Sequence, residues 1–545
     1  MAYNTNTYFV FFMPAVMIFY QLTPKKYRYI TLLLASMVFF LLISKYLIAW
    51  TILTTAITYF GGILIDKYLK LSKSKVNDKG EALSSDEKKV LKKKFKKKAK
   101  NVTTIAVLLV FFILAGLKYT QFTIDTIYYI INGKTNASIL PFAKILLPIG
   151  ISFYTLQAIG YLLDIYWKRI EAEHNFLHVA LFMFFFPTLM EGPILRWEDI
   201  KDQMFLGEAI TGESFIQGAV RIVFGLFKRM IISDRLNMMI IFLYKDKASF
   251  QGLMIVTIAV VTTIQLYMEF SGTIDIVIGS ARIFNIVLPE NFRQPFMSRS
   301  AAEFWRRWHI TLGVWLKNYV FYPASTSKMM KQWGKFGRKH CGKYITMMVT
   351  SFIALFPVWL INGLWHGPKW PYIIYGMYYL VILMLEIGLE PVALKVYEKL
   401  HLDKDGIIVR HFQMYRTWLI IFLGEMLFRA NTLEQFCRFM KNMFEKPWDG
   451  GFFAGRIIEV GLDAGDVIVA TIGTIIIFII DWKLEKDPDL LTRIPSLPIV
   501  KRWSLYYLVI FTLIIFGAYG AGYQPADLIY ACLLYTSTLP TKRIV

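Results

Sequence analysis

The chain has 545 residues, of which 56% are hydrophobic and only 18% charged, and its formal net charge is +23. A soluble chain of this length would form about three or four domains, but uncharged runs of membrane-spanning length recur here and exclude that class. The three cysteines, Cys341, Cys437 and Cys532, have unrelated spacings and predict neither a disulfide framework nor a zinc site.

The apolar runs predict an all-α polytopic membrane protein. A helix needs about 20 mostly apolar residues to cross a bilayer core, and these runs lack the alternation of barrel strands. We expect about 11 to 13 transmembrane or re-entrant helices. The first is interpreted as a retained span, because it lacks a basic leader and an obvious cleavage site. The candidate spans lie near 8–21, 28–44, 46–66, 103–120, 139–162, 176–193, 214–232, 252–280, 344–366, 370–389, 414–429, 465–481 and 503–522.

A lysine-rich segment, 67–100, indicates the orientation of the chain. It holds 14 lysines and four acidic residues between two spans. Lysine-rich loops stay on the cytoplasmic side and are attracted by anionic headgroups, so we interpret this charge as topology and surface anchoring, not as a nucleic-acid site. Three spans precede the segment, which places the N-terminus outside and Lys25, Lys26 and Arg28 inside.

Two segments, 194–214 and 281–343, mix charges with aromatic residues and are predicted to be amphipathic and interfacial. In the second, "EFWRRWHITLGVWL" places His309 after Arg306 and Arg307. The guanidinium fork suits phosphates, so a phosphate-bearing donor is one interpretation of these arginines. Plain anchoring to headgroups is the other, and the residues alone leave both open.

His366 ends an apolar run. Ile345–Trp365 contains no charged residue, and Gly367 with Pro368 then stops the helix. Asn362 lies four residues earlier on the same helix face, where it could orient the imidazole. Ionisable groups at membrane depth are functional candidates by default, whereas a satisfied interfacial histidine is the simpler alternative.

Other ionisable residues are weaker candidates. Glu191, Glu269 and Asp275 are carboxylates in apolar surroundings, and ion pairs that hold the fold are favoured over catalysis. His174 and His178 have helical spacing but lack the glutamate of a zinc-protease motif, so no metal site is predicted. The sequence contains no P-loop, no GxSxG elbow and no GxGxxG fingerprint.

Six stretches occur in a characteristic order: "LPIGISFYTLQAIGYLLDIY", "FFPTLMEGPILR", "MEFSGTIDIVIGSARIFNIVLPENFRQPF", "FWRRWHITLGVWLKNYVFYPA", "NGLWHGPKW" and "LFRA". Together they resemble the membrane-bound O-acyltransferase (MBOAT) family over roughly 5–530. The resemblance is to the bacterial branch typified by the integral-membrane subunit of alginate O-acetylation, with teichoic-acid D-alanyl transfer proteins as a nearby branch. Glu269 and Thr273 depart from the residues that many relatives have there. The tail 531–545 does not resemble a family C-terminus, which suggests an artefact.

The resemblance implies a single transmembrane domain, 1–530, with helices in a ring around a central funnel. It places the functional histidines on His309 and His366, with His366 as the catalytic base. An acyl group, expected to be acetyl, would pass from a cytoplasmic thioester to an extracytoplasmic hydroxyl. His309 would support the donor or polarise the thioester carbonyl. D-alanyl transfer to teichoic acid is the nearest alternative, and a non-catalytic export or scaffold component is the alternative from another class.

The same resemblance extends to substrates and partners. Arg306 and Arg307 would meet donor phosphates, and Trp305, Trp365 and Asn362 would complete the substrate site. No tightly bound cofactor and no metal are expected; acetyl-CoA or a carrier-protein thioester would be the cosubstrate. The expected partners are membrane lipid, a polysaccharide or cell-wall acceptor, an extracytoplasmic acetyltransferase and, for the carrier thioester, an acyl carrier protein. The expected location is the bacterial plasma membrane.

Overall fold

The computed structural model describes residue 3 and residues 5–77, 84–133, 147–244, 250–445 and 462–519. The tail at 531–545, with Cys532, lies outside these residues. Within the described ranges the regular elements are helices, and β pairing is limited to one bridge between Phe292 and Trp308. The predicted all-α class is therefore confirmed.

The α-helices of the described ranges begin with α1 (Met13–Leu22), α2 (Arg28–Ser44), α3 (Ile48–Asn77), α4 (Ser85–Lys118), α5 (Thr120–Asn132), α6 (Ile151–Tyr166), α7 (Phe176–Phe184), α8 (Phe186–Leu189), α9 (Trp197–Met204), α10 (Gly212–Leu226) and α11 (Asp234–Leu243). They continue with α12 (Leu253–Ile283), α13 (Ala301–Arg307), α14 (Ile310–Leu316), α15 (Tyr322–Ser325), α16 (Lys328–His340), α17 (Gly342–His366), α18 (Trp370–Lys399), α19 (Ile407–Arg429), α20 (Leu433–Glu445), α21 (Ala464–Lys486) and α22 (Ile499–Phe516). Short π-helical turns occupy Thr7–Phe12, Phe227–Ser233 and Lys317–Phe321.

Seven helical segments of the described chain are long and apolar enough to cross a membrane. They are Lys25–Lys73, which contains α2 and most of α3, and the helices α4, α12, α17, α18, α21 and α22. Several other predicted spans are shorter helices, such as α6 with 16 residues and α7 with nine. Short apolar helices need protein around their ends, because lipid cannot satisfy backbone groups. The chain is a multi-pass membrane protein, and the expected ring around a funnel stays a prediction.

Much of the lysine-rich segment 67–100 is helical. Helix α3 continues to Asn77, and α4 begins at a capping box in which Ser84 Oγ accepts from the Glu87 N–H at 3.2 Å. The Glu87 carboxylate accepts from the Ser84 N–H at 2.8 Å in return. Lysine, alanine and leucine are good helix formers, so the lysines extend two neighbouring helices instead of forming a loose loop.

One compact unit of the chain comprises Met1–Phe215 and Ser280–Pro289. Nearly every side chain of α6 is buried in it, as expected for a helix that is apolar on all faces. The Tyr3 hydroxyl donates to the Phe186 carbonyl at 2.7 Å and attaches the N-terminal segment to this core. Glu191 is completely buried here.

A second compact unit comprises Ile216–Gly279 and Glu290–Ile529. In it α17 and α18 form an antiparallel hairpin whose backbones touch at two glycines. A Cβ atom on Gly363 would lie 2.4 Å from the carbonyl oxygen of Tyr372, and one on Gly376 would lie 2.2 Å from a backbone carbonyl oxygen of α17. Small residues permit this close approach, and it fixes the end of α17.

The segment 281–343 has two parts in the structure. Its aromatic residues form a buried cluster in which Trp308 lies 5.0 Å from Phe292 and 5.3 Å from Phe304, measured between ring centroids. The later helix α16, with its lysines and arginine, has the amphipathic pattern that was expected, and an interfacial location of the segment stays a prediction. The first part is buried because its aromatic rings pack on one another and not on headgroups.

Candidate active site

His309 connects α13 to α14 in a left-handed backbone conformation, with φ 47° and ψ 51°. Such a conformation costs about 1–3 kcal/mol for a residue other than glycine and persists only where its surroundings fix it. Here the Ile310 N–H donates to the Asn291 carbonyl at 3.0 Å, and the Arg293 N–H donates to the Arg307 carbonyl at 2.9 Å. Strand-like pairing on both sides of His309 therefore holds the turn.

The side chain of Asn291 determines which nitrogen of His309 carries the hydrogen. Its amide oxygen accepts from the Thr311 backbone N–H at 3.1 Å and from the Thr311 hydroxyl at 2.9 Å, and it lies 3.2 Å from His309 Nδ1. An amide oxygen accepts and cannot donate, so Nδ1 is protonated in the neutral ring and Nε2 has the lone pair. The sequence analysis had not singled out Asn291.

The His309 ring lies in apolar surroundings. It is 2% exposed and contacts Phe270 at 4.9 Å and Trp365 at 5.5 Å between ring centroids. Burial lowers the pKa of His309 to about 3, because the charged form would lose its hydration. The imidazole is therefore neutral at physiological pH and acts through a lone pair, not through a positive charge.

A cavity of about 290 Å³ lies beside His309, lined by residues of α13, α14, α17 and α18. Four predicted site residues are on its wall: Trp305, Arg306, His309 and Asn362. Along α17 the wall extends from Asn362 to Leu355, which corresponds to about 10 Å at 1.5 Å per residue. The cavity is mostly apolar, so a polar contact made inside it is stronger than in water.

The two neighbouring arginines have different surroundings. Arg306 is exposed at the cavity and forms no ion pair within the described ranges. Arg307 instead pairs with Glu303 at 2.7 Å and with Glu485 at 2.6 Å. Of the two predicted phosphate ligands, only Arg306 lines the 290 Å³ cavity, and Arg307 is already neutralised.

Aromatic side chains form the wall next to Asn362. The Trp305 ring lies 4.9 Å from Trp359 and 4.8 Å from Tyr379 between ring centroids. Trp305 Nε1, Trp359 Nε1, the Tyr379 hydroxyl and Asn362 Oδ1 are buried without a hydrogen-bond partner among the described residues. Each unpaired buried group costs about 1–3 kcal/mol, and such a concentration suits a ligand with polar atoms along an apolar chain.

His366 is the last residue of α17 and is 5% exposed. Its ring contacts Phe428 at 5.0 Å and Tyr375 at 6.0 Å between centroids. The Trp365 indole contacts both imidazoles, at 5.1 Å from His366 and 5.5 Å from His309. The two histidines thus meet at one indole, while His309 lines the 290 Å³ cavity and His366 does not.

A buried carboxyl group is connected to His366 through Tyr375. The Tyr375 hydroxyl donates to Glu425 Oε1 at 3.0 Å, and the ring of Tyr375 contacts His366. Glu425 is 1% exposed. The sequence analysis did not single it out, although an acidic residue in an apolar run, two residues before the start of "LFRA", is a usable signal.

Of the two carboxyl side chains of α12, one forms the ion pairs that were predicted. Asp275 forms ion pairs with Arg221 at 2.6 Å and Lys228 at 2.8 Å. Glu269 accepts a hydrogen bond from Gln265 at 3.0 Å. The Asp275 pairs join α12 to α10 and to the π-helical turn that follows α10, whereas the Glu269–Gln265 hydrogen bond lies within α12.

Comparison with known proteins links this geometry to an enzyme class. A profile described as MBOAT, membrane-bound O-acyltransferase family, matches residues 168–336. The probable alginate O-acetylase AlgI of Azotobacter vinelandii is 30% identical over 448 residues, which cover 82% of this chain and 78% of the relative.

Two further relatives are named for other activities. The peptidoglycan O-acetyltransferase of Helicobacter pylori is 29% identical over 364 residues, which cover 61% of this chain and 62% of the relative. The teichoic acid D-alanyltransferase of Bacillus subtilis is 28% identical over 240 residues, which cover 43% of this chain and 58% of the relative. With the alginate relative matched over most of both lengths, this chain belongs to the membrane-bound O-acyltransferase family and is an O-acyltransferase.

Proposed function

We propose that the chain transfers an acetyl group from a cytoplasmic thioester to a hydroxyl of an extracytoplasmic polysaccharide, or to a partner acetyltransferase that completes the transfer. The observation that carries the proposal is the 290 Å³ cavity, whose wall holds the exposed Arg306 and the buried His309 and Asn362. A guanidinium can bind the phosphates of acetyl-CoA or of a carrier-protein prosthetic group. The apolar wall suits the thioester arm that follows those phosphates.

The charges around the α17–α18 hairpin support a cytoplasmic donor. Helix α16 directly precedes α17 and carries Lys328, Lys331 and Lys335 on a short surface helix. Lysine-rich connections lie on the cytoplasmic side, and the cavity wall extends from Asn362 towards that end of α17. The proposal includes a bacterial plasma membrane and an N-terminus outside, which cysteine labelling of intact cells at Lys88→Cys and Asn4→Cys would test.

His366 acts as the general base in this proposal. The acceptor hydroxyl oxygen attacks the thioester carbonyl carbon while the imidazole removes the hydroxyl proton. When the tetrahedral intermediate collapses, the C–S bond breaks and the imidazolium returns the proton to the thiolate, which gives an ester and a free thiol. A positioned base contributes about 10²–10⁴ to the rate, and alignment of the two substrates contributes more.

His309 has a different role in the reaction, which follows from its tautomer. Because Nδ1–H points to Asn291, the other ring nitrogen, Nε2, has the lone pair and can accept a hydrogen bond but cannot donate one. His309 therefore positions the donor by accepting a hydrogen bond from it, and polarisation of the thioester carbonyl, which needs a donor, does not fit. Trp305 and Asn362 enclose the thioester arm, and Trp365 lies between the two histidines.

The test measures base-labile acyl groups on the surface polymer by mass spectrometry. Cells would carry this chain, its His366→Ala variant at matched membrane abundance, or neither. We expect acetate with the first and background with the second. Equal acetate in chain and variant, above the empty control, would refute His366 as the base and support a scaffold role.

D-alanyl transfer to teichoic acid is the second candidate, and the similarity to the Bacillus subtilis D-alanyltransferase favours it. The bond-forming step is the same, with a D-alanyl thioester as the donor. The same mass-spectrometric assay distinguishes the two, because D-alanine would be released by base in place of acetate.

A further inference from the structure

A second cavity, of about 1,280 Å³, lies in the same unit between α19 and α21, with α13 and the turn before it on the remaining side. It exceeds the roughly 300–1,000 Å³ of ordinary small-molecule pockets. Its lining is polar at the first turn of α19 and the last turn of α21, and apolar further along both helices. The acyl-transfer proposal assigns it no role.

Cationic groups collect at the polar end. Arg299 is paired with Asp405 at 3.0 Å, and Arg307 is paired with two glutamates. Arg410 forms no ion pair within the described residues, and Lys486 lies 3.7 Å from the centre of the Trp482 ring. Two positive charges therefore remain available at one end of the cavity.

The apolar part continues from these cations at helical spacing. On α19, Met414 and Trp418 follow Arg410 by one and two turns, and on α21 Phe478 and Ile475 precede Trp482 by one and two turns. Trp482 and Ile475 lie in a helix that is long and apolar enough to cross a membrane. Their side chains are 51% and 52% exposed. Exposed apolar side chains of a spanning helix face lipid chains.

We propose that this cavity is a binding site for an anionic glycerophospholipid. The phosphate lies between Arg410 and Lys486, and one acyl chain follows the apolar residues of α19 and α21. Charge complementarity favours an anionic headgroup over a zwitterionic one, because the two glutamates of the same wall pair with Arg307 and neither cation has an acidic partner among the described residues. Basic pockets between spanning helices on the cytoplasmic side are known to hold such headgroups.

The experiment uses native mass spectrometry of the full-length chain in detergent, titrated with phosphatidylglycerol or phosphatidylcholine of the same chain length. The test variant is Arg410→Gln with Lys486→Gln. The control is Lys399→Gln with Lys404→Gln, which removes the same charge from the neighbouring connection without touching the cavity wall. Monodisperse elution of all three proteins shows that they fold.

We expect the wild type and the control to prefer phosphatidylglycerol, and the test variant to lose roughly 30-fold in affinity for it, as two surface cations predict. Charge-conserving Arg410→Lys with Lys486→Arg should restore binding. Equal binding of both lipids to the wild type, or an equal loss in the control, would overturn the proposal. Displacement of phosphatidylglycerol by free coenzyme A would also overturn it, because the phosphate site would then belong to the acyl donor.

Discussion

His309 and His366 are the same residue type, near the same indole, but different forces hold them. His309 sits in a strained turn, and Asn291 fixes its ring by a hydrogen bond at 3.2 Å. His366 ends a regular helix, among the rings of Trp365, Tyr375 and Phe428. A hydrogen bond to a ring nitrogen determines the tautomer of a histidine, whereas packing against aromatic rings determines only where its imidazole lies. His309 thus has a fixed tautomer, whereas His366, the proposed base, is positioned by the rings around it.

Removing His366 should have the largest effect. His366→Ala loses the proposed base and should lower kcat about 10²–10⁴-fold, while His366→Gln keeps much of the volume and should be as inactive. Single-turnover acyl transfer in purified membranes measures this. A Gln variant with more than a tenth of wild-type activity would show that position, not proton transfer, matters at this residue.

Substitutions of Asn291 test whether its hydrogen bond to His309 matters for activity. Asn291→Ala leaves the buried Nδ1–H unsatisfied, a cost of about 1–3 kcal/mol, and should lower kcat/KM about ten- to a hundredfold. Asn291→Asp keeps an acceptor and should restore part of the rate. Its carboxylate also raises the pKa of His309, so the acid side of its pH–rate profile should move to higher pH. Identical losses in both variants, with unchanged profiles, would mean that Asn291 acts only in folding.

The pH dependence of stability sharpens the same comparison. Burial lowers the pKa of His309 to about 3 in the folded protein, against about 6.5 when unfolded. Between these two pH values the unfolded state binds more protons than the folded state. The free energy of unfolding is therefore highest above pH 6.5 and decreases as the pH falls. At pH 5 the loss is about 2 kcal/mol. The melting temperature in detergent should therefore fall between pH 7 and pH 5, and fall less in His309→Gln. A parallel fall in the variant would contradict this.

Substitution of Arg306 or Arg307 should have the smallest effect on activity. Arg306→Gln removes the unpaired cation of the 290 Å³ cavity and should raise KM for the thioester about tenfold, with little change in kcat. Arg307→Gln breaks the pairs with Glu303 and Glu485 and should lower the melting temperature instead. A higher KM in the Arg307 variant alone would reverse the assignment of the phosphate ligand.

The sequence predicts the local features well. The all-α class and the long spans follow from apolar runs, and His309, His366 and Arg306 follow from residue type and motif. Asn291 lies 18 positions before His309 and touches it only because a loop folds back, which no local periodicity predicts. The contrast between Arg306 and Arg307 likewise depends on Glu485, 178 positions away. The interfacial location of 281–343 stays a prediction, and composition could not show that aromatic rings of its first part pack on each other.

Helix α4 has 34 residues and is about 51 Å long, against a bilayer core of about 30 Å. Its uncharged stretch begins at Asn101, so the lysine-bearing turns from Ser85 to Lys100 continue for about 24 Å along the helix axis beyond the apolar part. The screening length in physiological salt is about 8 Å. Lysines near Asn101 therefore act on headgroups, while those near Ser85 stand about three screening lengths along the axis from them. At this screening length, headgroups attract the lysines near Asn101 much more strongly than the lysines near Ser85.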